Sequence, residues 1–243
     1  MNDIHPFLSL SIVSHGQLNL IANLLDDLRC MAFENFEVLL TINHPEDETL
    51  VGPFPFPLHI YRNISPKGFG ANHNAAFKRS KGEFFVVVNP DIRIRSQNLH
   101  DLISPMSDIR VAAVAPVVLS TEGHVEDSAR KFPSFFGLVW RVLGWKRDLD
   151  YIFGSTPLAV DWVAGMFVVF RSTYFEKIHG FDEKRYFMYF EDVDICERFW
   201  EHGLSVMLQP SVQVIHNAQR ASHRNIKHLQ WHLMSCFRYL TKI

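Results

Sequence analysis

The chain has 243 residues, with 47% apolar residues, 21% charged residues and a formal net charge of −2. This length and composition predict one folded domain with a substantial core and exclude wholesale disorder. The nearly balanced charge argues against a general polyanion binder, so no nucleic-acid partner is expected. Three widely spaced cysteines without a CxxC pair disfavour a disulfide framework and indicate a reducing, cytoplasmic location.

The sequence predicts neither a signal peptide nor a membrane span. The first residues lack the basic and apolar regions of a signal peptide. The longest apolar runs, Val111–Leu119 and Trp162–Phe170, are about half as long as the ~20 residues that a spanning helix needs. We therefore expect a soluble protein that at most lies on a membrane surface.

In chain order, apolar periodicity predicts strands that alternate with helices over the first half of the chain. The predicted strands are Leu8–Ser14, Phe36–Asn43, Leu58–Tyr61, Phe84–Val88 and Val111–Val118. The predicted helices between them are Leu18–Leu28, Ala71–Ser80 and Asn98–Met106. This alternation is typical of a Rossmann-like α/β fold, with a mainly parallel central sheet flanked by helices.

The second half of the chain is less regular. Strands are predicted at Val160–Phe170, Ser205–Leu208 and Val212–His216, and helices at Phe135–Trp145, Glu191–His202 and Ile226–Leu240. No repeat, low-complexity segment or linker divides the chain, so residues 1–243 are expected to form a single domain. A nucleotide-binding half of about residues 1–118 is expected to precede an acceptor-binding and catalytic half of about residues 119–243.

Asn89-Pro90-Asp91 directly follows a buried strand, where ligands of open α/β sheets bind. One carboxylate at this place can hold Mg²⁺ or Mn²⁺ against a diphosphate, although the same tripeptide also suits an ordinary turn. His216 ends a later strand. It can complete such a metal site, although a lone histidine is more often structural.

Glu191-Asp192-Val193-Asp194 opens a predicted helix directly after the aromatic run Tyr186–Phe190. Acidic residues are common in first turns because they complement the helix dipole. Carboxylates at the edge of an aromatic pocket, however, have perturbed pKa values and are candidate general bases. The motif therefore favours a catalytic role over a purely structural one.

A glycine turn, Lys67-Gly68-Phe69-Gly70, feeds the helix that contains Asn72 and Asn74. Backbone N–H groups at such a helix start can bind phosphate, and the two amides can bind a base or a sugar. The segment matches neither the P-loop nor the full dinucleotide fingerprint. The sequence therefore disfavours nucleotide hydrolysis and dinucleotide binding.

The order and placement of these motifs resemble the inverting family-2 glycosyltransferases of GT-A fold over nearly the whole chain. Within that family, the resemblance is to bacterial rhamnosyltransferases of O-antigen and cell-surface polysaccharide assembly. The segments that carry it are Ile12–Gly16, Gly68–Asn74, Asn89–Ile92, Arg130–Pro133, Val160–Gly165, Gly180–Asp182, Tyr186–Asp194, Ile215–His216, Trp231–Leu233 and Phe237–Leu240.

The resemblance implies a role for each matching position. Asp192 is implied as the general base, and Glu191 beside it as a catalytic residue that orients the acceptor. Asp91 and His216 are implied as metal ligands. The implied donor contacts are Ser14, His15, Asn43, Lys67, Gly68, Phe69, Gly70, Asn72, Asn74, Asn89, Asp91 and Arg224. The implied acceptor contacts are Arg130, Trp162, Gly165 and Glu191.

By the same resemblance, the expected reaction transfers L-rhamnose from dTDP-L-rhamnose to a sugar hydroxyl of an undecaprenyl-diphosphate-linked glycan, with Mg²⁺ or Mn²⁺ as cofactor. Such a step belongs to the O-antigen part of lipopolysaccharide biosynthesis. The sequence departs from the family at Asn89, which replaces the first acid of a strict DxD, and at Asn43, where an aspartate often binds the pyrimidine. Two alternatives stay open: another donor such as UDP-N-acetylglucosamine, or a non-catalytic scaffold that binds a nucleotide sugar.

The C-terminal tail carries only positive formal charges. No Asp or Glu follows Glu201, whereas five Lys or Arg residues do. An apolar stripe on the terminal helix is expected to pack on the domain; it consists of Ile226, Leu229, Leu233, Phe237 and Leu240. Because basic and aromatic side chains suit anionic lipid, weak peripheral binding at the cytoplasmic face of the inner membrane is expected.

Overall fold

The computed structural model describes residues 7–31, 35–94, 99–133, 149–152, 154–217 and 226–242. The strands are β1 Leu8–Ser14, β2 Phe36–Ile42, β3 Leu58–Arg62, β4 Phe84–Val88, β5 Ile92–Arg93, β6 Val111–Ser120, β7 Ala129–Arg130, β8 Leu158–Ala159, β9 Trp162–Val163, β10 Phe167–Arg171 and β11 Ser205–His216. The helices are α1 Leu18–Arg29, α2 Phe69–Phe77, α3 Leu99–Ile103, α4 Ser172–Lys177, α5 Glu191–Glu201 and α6 Ile226–Thr241. The predicted helix Phe135–Trp145 and the predicted donor contact Arg224 lie outside the described residues.

The central sheet has the strand order β3-β2-β1-β4-β10-β6-β11-β5, with β8 paired alongside β11. Strands β1 to β4 run parallel to one another, and β6 runs parallel to β11. β10 is antiparallel to both of its neighbours, β4 and β6. The fold is therefore mixed α/β with a mostly parallel central sheet flanked by helices, as the sequence predicts.

The residues of β1 show how both faces of this sheet are covered. Leu10 and Ile12 contribute to a core that also contains the apolar side of α1. Ser11 points to the other face, where its hydroxyl lies 2.8 Å from Nδ1 of His73 on α2. Because every residue of the strand is buried, the ligand-binding edge of the sheet begins only where β1 ends.

The predicted strand Val160–Phe170 is wrong, because the chain forms two separate strands, β9 and β10. β9 pairs with β7 in a small two-stranded sheet, and β10 enters the central sheet. The residues between them, 164–166, make a turn. This interruption places Gly165 beside the start of α5, whereas a continuous strand would hold it within the sheet.

Two predicted short strands, Ser205–Leu208 and Val212–His216, are instead one strand, β11. The pairing of β11 with β6 shifts register between Gln209 and Gln213. Pro210 lies within this shift and cannot donate a backbone hydrogen bond, which explains why the sequence pattern breaks there.

Helix α6 packs on the domain with a face that apolar periodicity does not identify. Of the predicted core stripe, Leu240 packs against the core. Leu229, Leu233 and Phe237 instead face outward, with relative exposures of 58–61%. The packed side instead carries rings, including those of His232 and Tyr239 against the loop before α5. No helix within the described residues combines the length and the apolar character needed to cross a membrane.

Candidate active site

A cavity of about 460 Å³ opens at the carboxyl ends of β1 and β4 and at the first turn of α5. The structure brings nine of the predicted site residues into its wall: His15, Phe69, Asn89, Asp91, Arg130, Trp162, Gly165, Glu191 and Asp192. The other predicted residues within the described chain lie outside this wall. The structure thus brings both acidic motifs to one cavity, because one follows β4 and the other opens α5.

Asp192 is fixed by two backbone donors in the wall of this cavity. Its Oδ2 accepts a hydrogen bond from the N–H of Gly165 at 3.1 Å, and its Oδ1 accepts one from the N–H of Val193 at 2.9 Å. Burial raises the pKa of Asp192, and the backbone hydrogen bonds partly offset this effect. The result is an oriented carboxylate whose pKa lies above the usual range of aspartate, which is the arrangement that a general base needs.

Glu191 is buried beside Asp192, with 5% of its surface exposed. Among the described residues, its Oε2 has no hydrogen-bond partner. Burial raises the pKa of Glu191, and the adjacent charge of Asp192 raises it further. An unpartnered carboxyl oxygen in the cavity wall can bind a hydroxyl group of a ligand.

The loop before these two carboxylates has an unusual backbone. Tyr189 and Phe190 have φ angles of +72° and +68°, in the left-handed region that side chains other than glycine rarely adopt. Helix α6 holds this loop through a 2.9 Å hydrogen bond from Ser235 Oγ to the carbonyl of Met188 and a 2.9 Å contact between Tyr189 Oη and His228 Nδ1. The strained backbone therefore sets the direction in which α5 begins.

Asp91 and His216 meet because β5 pairs with the end of β11. Oδ2 of Asp91 lies 3.2 Å from Nε2 of His216, whose Nδ1 lies 2.7 Å from Oε2 of Glu126. Burial lowers the pKa of His216, but the hydrogen bonds and charges of the two carboxylates outweigh it and raise the pKa to about 9. Glu126 is a site residue that the sequence does not predict.

The donor set at this place fits a divalent cation only in part. Oδ1 of Asp91 is buried and has no hydrogen-bond partner among the described residues, as expected for an oxygen reserved for a ligand. Within the described chain, no cluster of three or more acidic, His or Cys side chains could hold a metal. Asp91 and His216 would therefore need phosphate or water oxygens to complete the coordination of Mg²⁺ or Mn²⁺.

The buried amide of Asn43 joins the loops that follow β1, β2 and β3. Its Nδ2 donates to the carbonyl of Lys67 and lies 2.9 Å from Nδ1 of His15, and its Oδ1 accepts from the N–H of Lys67. Asn72 also donates to the carbonyls of Lys67 and Gly68. Ser14 Oγ accepts from the N–H of Gln17. None of these four residues, Ser14, Asn43, Lys67 and Asn72, lines the cavity. Their hydrogen bonds hold the loops beside it, including the one that carries His15.

The glycine turn before α2 is required for close packing. A Cβ on Gly68 would lie 2.2 Å from the carbonyl oxygen of Phe187, and one on Gly70 would lie 2.8 Å from Cβ of Phe181. The N–H of Phe69 donates to the same Phe187 carbonyl, so this helix start does not offer that group to phosphate. Asn74 bonds both the N–H and the carbonyl of Phe181, away from the cavity.

Arg130 and Trp162 form the side of the cavity opposite the sheet edge, where β7 pairs with β9. The guanidinium carbon of Arg130 lies 5.5 Å from the centroid of the Trp162 ring, and its Nε lies 2.8 Å from a carboxyl oxygen of Asp127. The indole N–H of Trp162 donates to the carbonyl of Lys131. A flat ring and a cation at one wall suit an uncharged sugar with a nearby phosphate.

Comparison with known proteins matches the sequence and the fold of this chain to glycosyl transferases. The chain is 30% identical to rhamnosyltransferase WbbL of Escherichia coli, over 95% of this chain and 91% of that protein. It is 31% identical to an N-acetylglucosaminyl-diphospho-decaprenol L-rhamnosyltransferase of Mycobacterium tuberculosis, over 65% of this chain and 55% of that protein.

Among solved structures, the fold resembles a mannosyltransferase of Pyrobaculum calidifontis in complex with GDP-mannose and Mn²⁺. The TM-score is 0.66 at 18% sequence identity, over 97% of this chain and 65% of that one. The chain thus spans less than two thirds of the length of that structure. Residues 155–229 also match the N-terminal domain of galactosyltransferase. Residues 9–175 match the model of glycosyl transferase family 2, and the chain belongs to that family.

Proposed function

We propose that the protein is an inverting, metal-dependent glycosyltransferase that moves L-rhamnose from dTDP-L-rhamnose to a sugar hydroxyl of a lipid-linked glycan. The observation that carries this proposal is the half-buried, doubly hydrogen-bonded Asp192, which shares one cavity with Asp91. The choice of rhamnose is supported by the two relatives that are named rhamnosyltransferases. An O-antigen or a related surface polysaccharide is the proposed product.

In this mechanism Asp192 accepts the proton of the acceptor hydroxyl as that oxygen attacks the anomeric carbon from the face opposite dTDP. The hydrogen bond from the N–H of Gly165 holds the carboxylate in place, so the base is already oriented before the acceptor binds. Glu191 binds and orients a second acceptor hydroxyl through its unpartnered Oε2. Inversion follows because attack and departure occur in one step, without a covalent enzyme intermediate.

Charge develops on the diphosphate of dTDP as the sugar leaves. Asp91 and His216 are the residues that would hold Mg²⁺ or Mn²⁺, which supplies positive charge to the leaving diphosphate when bound. Glu126 keeps the His216 ring oriented through its hydrogen bond to Nδ1. Asn89 and the predicted donor contact Arg224 are proposed to complete the donor side.

The proposed acceptor is a glycan linked to undecaprenyl diphosphate, presented at the cytoplasmic face of the membrane. Arg130 lies in the cavity wall beside Trp162 and suits a sugar that is followed by phosphate. A lipid-linked acceptor requires the enzyme to work at the bilayer surface, so we include peripheral membrane association in the proposed function. The acid-free chain after Glu201 supports it.

The test is a transfer assay that screens dTDP-L-rhamnose against UDP-N-acetylglucosamine and other sugar nucleotides, with and without Mn²⁺ or EDTA. The acceptor is a sugar diphosphate with a short lipid tail. We expect transfer from dTDP-L-rhamnose only, abolished by EDTA, with inversion at the anomeric carbon by NMR. Transfer from another donor alone would reject rhamnose, and full activity in EDTA would reject the metal.

A non-catalytic scaffold that binds a nucleotide sugar is the second candidate. The observation that favours it is the presence of Asn89 in place of an acid, which leaves Asp91 as the single carboxylate of that motif. A scaffold would bind the donor in a calorimetric titration but would neither transfer nor hydrolyse it. The half-buried, oriented Asp192 favours the enzyme, because donor binding alone does not need such a group.

A further inference from the structure

The outward side of α6 carries a continuous set of large apolar side chains, which we call the outer stripe: Leu229, Leu233, Met234 and Phe237. Between 52% and 61% of each of these side chains is exposed. Leu229, Leu233 and Phe237 recur every four residues and Met234 adjoins Leu233, so all four lie on one side of the helix. Isolated exposed apolar residues are ordinary on protein surfaces, whereas a contiguous set on one helix marks an interaction surface.

The formal charges of α6 are all positive. Lys227 lies in its first turn, and Arg238 and Lys242 lie at its end. Arg238 donates to the carbonyl of Arg185, and Lys242 pairs with Glu197 of α5. A helix with an apolar side and only basic charge suits the surface of an anionic bilayer, which attracts Lys and Arg and accepts the apolar side chains.

The opposite side of α6 reaches the candidate active site. His232 lies in the cavity wall, and Ser235 donates to the loop that precedes Glu191. The outer stripe and the cavity are thus separated by about the 10 Å diameter of one helix. A bilayer in contact with the outer stripe would present a diphosphate-linked sugar at the height of the cavity.

A second copy of this chain is a poorer occupant of the same surface. The outer stripe offers on the order of a few hundred Å², below the roughly 800 Å² per partner of a stable complex. In a two-fold dimer the same surface faces itself, so the basic groups of both helices would lie close together and repel each other. An anionic lipid surface complements both features.

We propose that the outer stripe is the membrane-docking face of the protein, inserted at the headgroup level of an anionic bilayer. This inference rests on the proposed function in one respect: the reason for docking is that the acceptor is linked to a lipid. Docking through apolar side chains differs from attachment by charge alone. Part of the binding therefore survives high salt, whereas purely electrostatic binding does not.

The test compares flotation of three proteins with vesicles of phosphatidylglycerol and phosphatidylcholine: the wild type, Leu233→Gln/Phe237→Gln, and the matched control Ile64→Gln/Ile109→Gln. The control removes two exposed isoleucines that lie outside α6. We expect at least a tenfold loss of vesicle partitioning for the outer-stripe variant and less than a twofold change for the control. All three should unfold at the same temperature, because the replaced side chains are exposed.

Equal partitioning of the outer-stripe variant and the wild type would overturn the proposal, as would absence of wild-type binding to anionic vesicles. A dimer in light scattering that dissociates in the same variant, without vesicle binding, would assign the outer stripe to a second copy. Transfer to a short-tailed acceptor in detergent-free buffer separates the two proposals. A wild type that docks but transfers no rhamnose refutes the function alone, and one that transfers but does not dock refutes the docking face alone.

Discussion

Asp192 and Asp194 are two residues apart in one acidic motif, yet their surroundings differ completely. Asp192 faces the cavity and is held by backbone N–H groups. Asp194 is buried between the guanidinium groups of Arg185 and Arg198, at 3.4 Å and 2.8 Å. The first environment suits chemistry and the second suits stability.

We expect Asp192→Asn to fold and to bind donor but to lose at least about 10²-fold in kcat, since an amide cannot accept the hydroxyl proton. Asp194→Asn is the matched comparison within the motif. It should keep kcat per folded molecule while lowering the free energy of unfolding by about 1–3 kcal/mol, because it weakens buried ionic hydrogen bonds. Steady-state kinetics and urea unfolding measure both. A wild-type kcat for Asp192→Asn would remove this residue from the mechanism.

Glu126 should support metal binding by orienting the ring of His216, and not by contacting the metal or the donor itself. Glu126→Gln is expected to weaken Mn²⁺ binding in the presence of dTDP by about 10–100-fold, because the orienting carboxylate of a metal-bound histidine is lost. Isothermal titration with Mn²⁺ measures this without any turnover. Glu122→Gln, at an exposed acid of the same turn region, is the control and should bind like the wild type. Unchanged affinity in Glu126→Gln would leave that residue with a purely structural role.

The sequence predicts the acidic residues of the site better than it predicts their partners. Asp91 and Asp192 are recognisable because one follows a strand and the other opens a helix, and both positions are defined by local patterns. Glu126 lies in an irregular segment after β6, which an isolated bridge between Leu119 and Val125 ties back to that strand. No periodicity marks such a residue, and its proximity to His216 depends on the three-dimensional path of the chain.

At the scale of elements, the loop that ends in Tyr189 and Phe190 and the inner side of α6 form one unit. Two consecutive residues in the left-handed region cost on the order of 1–3 kcal/mol each, and the surrounding contacts must supply that energy. We expect Tyr189→Phe/Ser235→Ala to lower kcat by about fivefold with little change in the KM for donor. Each lost hydrogen bond contributes roughly 1 kcal/mol to holding the loop.

Gln230→Ala, on the exposed side of the same helix, provides the control and should match the wild type. Measuring kcat over a temperature series adds a second readout, because a loosened loop should raise the activation enthalpy of the variant. A double variant with wild-type kcat would show that the contacts to α6 are not needed to orient the two carboxylates.

The elements that the sequence predicts well are those with a simple apolar pattern. β4 is predicted with the bounds that it has, since all five residues are apolar and buried. The packed side of α6 is harder to predict, because its aromatic and imidazole rings can be buried as readily as leucine side chains. In this helix the rings of Trp231 and Tyr239 have partners in the loop before α5, and Leu229 and Leu233 are left exposed.

At the scale of the whole molecule, the two halves expected from the sequence are interleaved rather than stacked in order. β10, from the second half, lies between β4 and β6 of the first half. β6 itself has β10 on one side and β11 on the other. Within the described residues neither half contains a complete sheet, and a single domain over residues 1–243 stays the prediction.

This interleaving has a consequence for how the protein is made. When synthesis has passed Ser120, β6 is complete, but both of its neighbours in the sheet are still untranslated. The segment Val111–Ser120, with eight buried residues in the finished fold, then has two unpaired edges. Exposed apolar strands of this kind bind chaperones or aggregate until their partners arrive. The nascent chain must therefore protect β6 until β11 has emerged from the ribosome, so the sheet cannot be completed before Ser205–His216 has been synthesised.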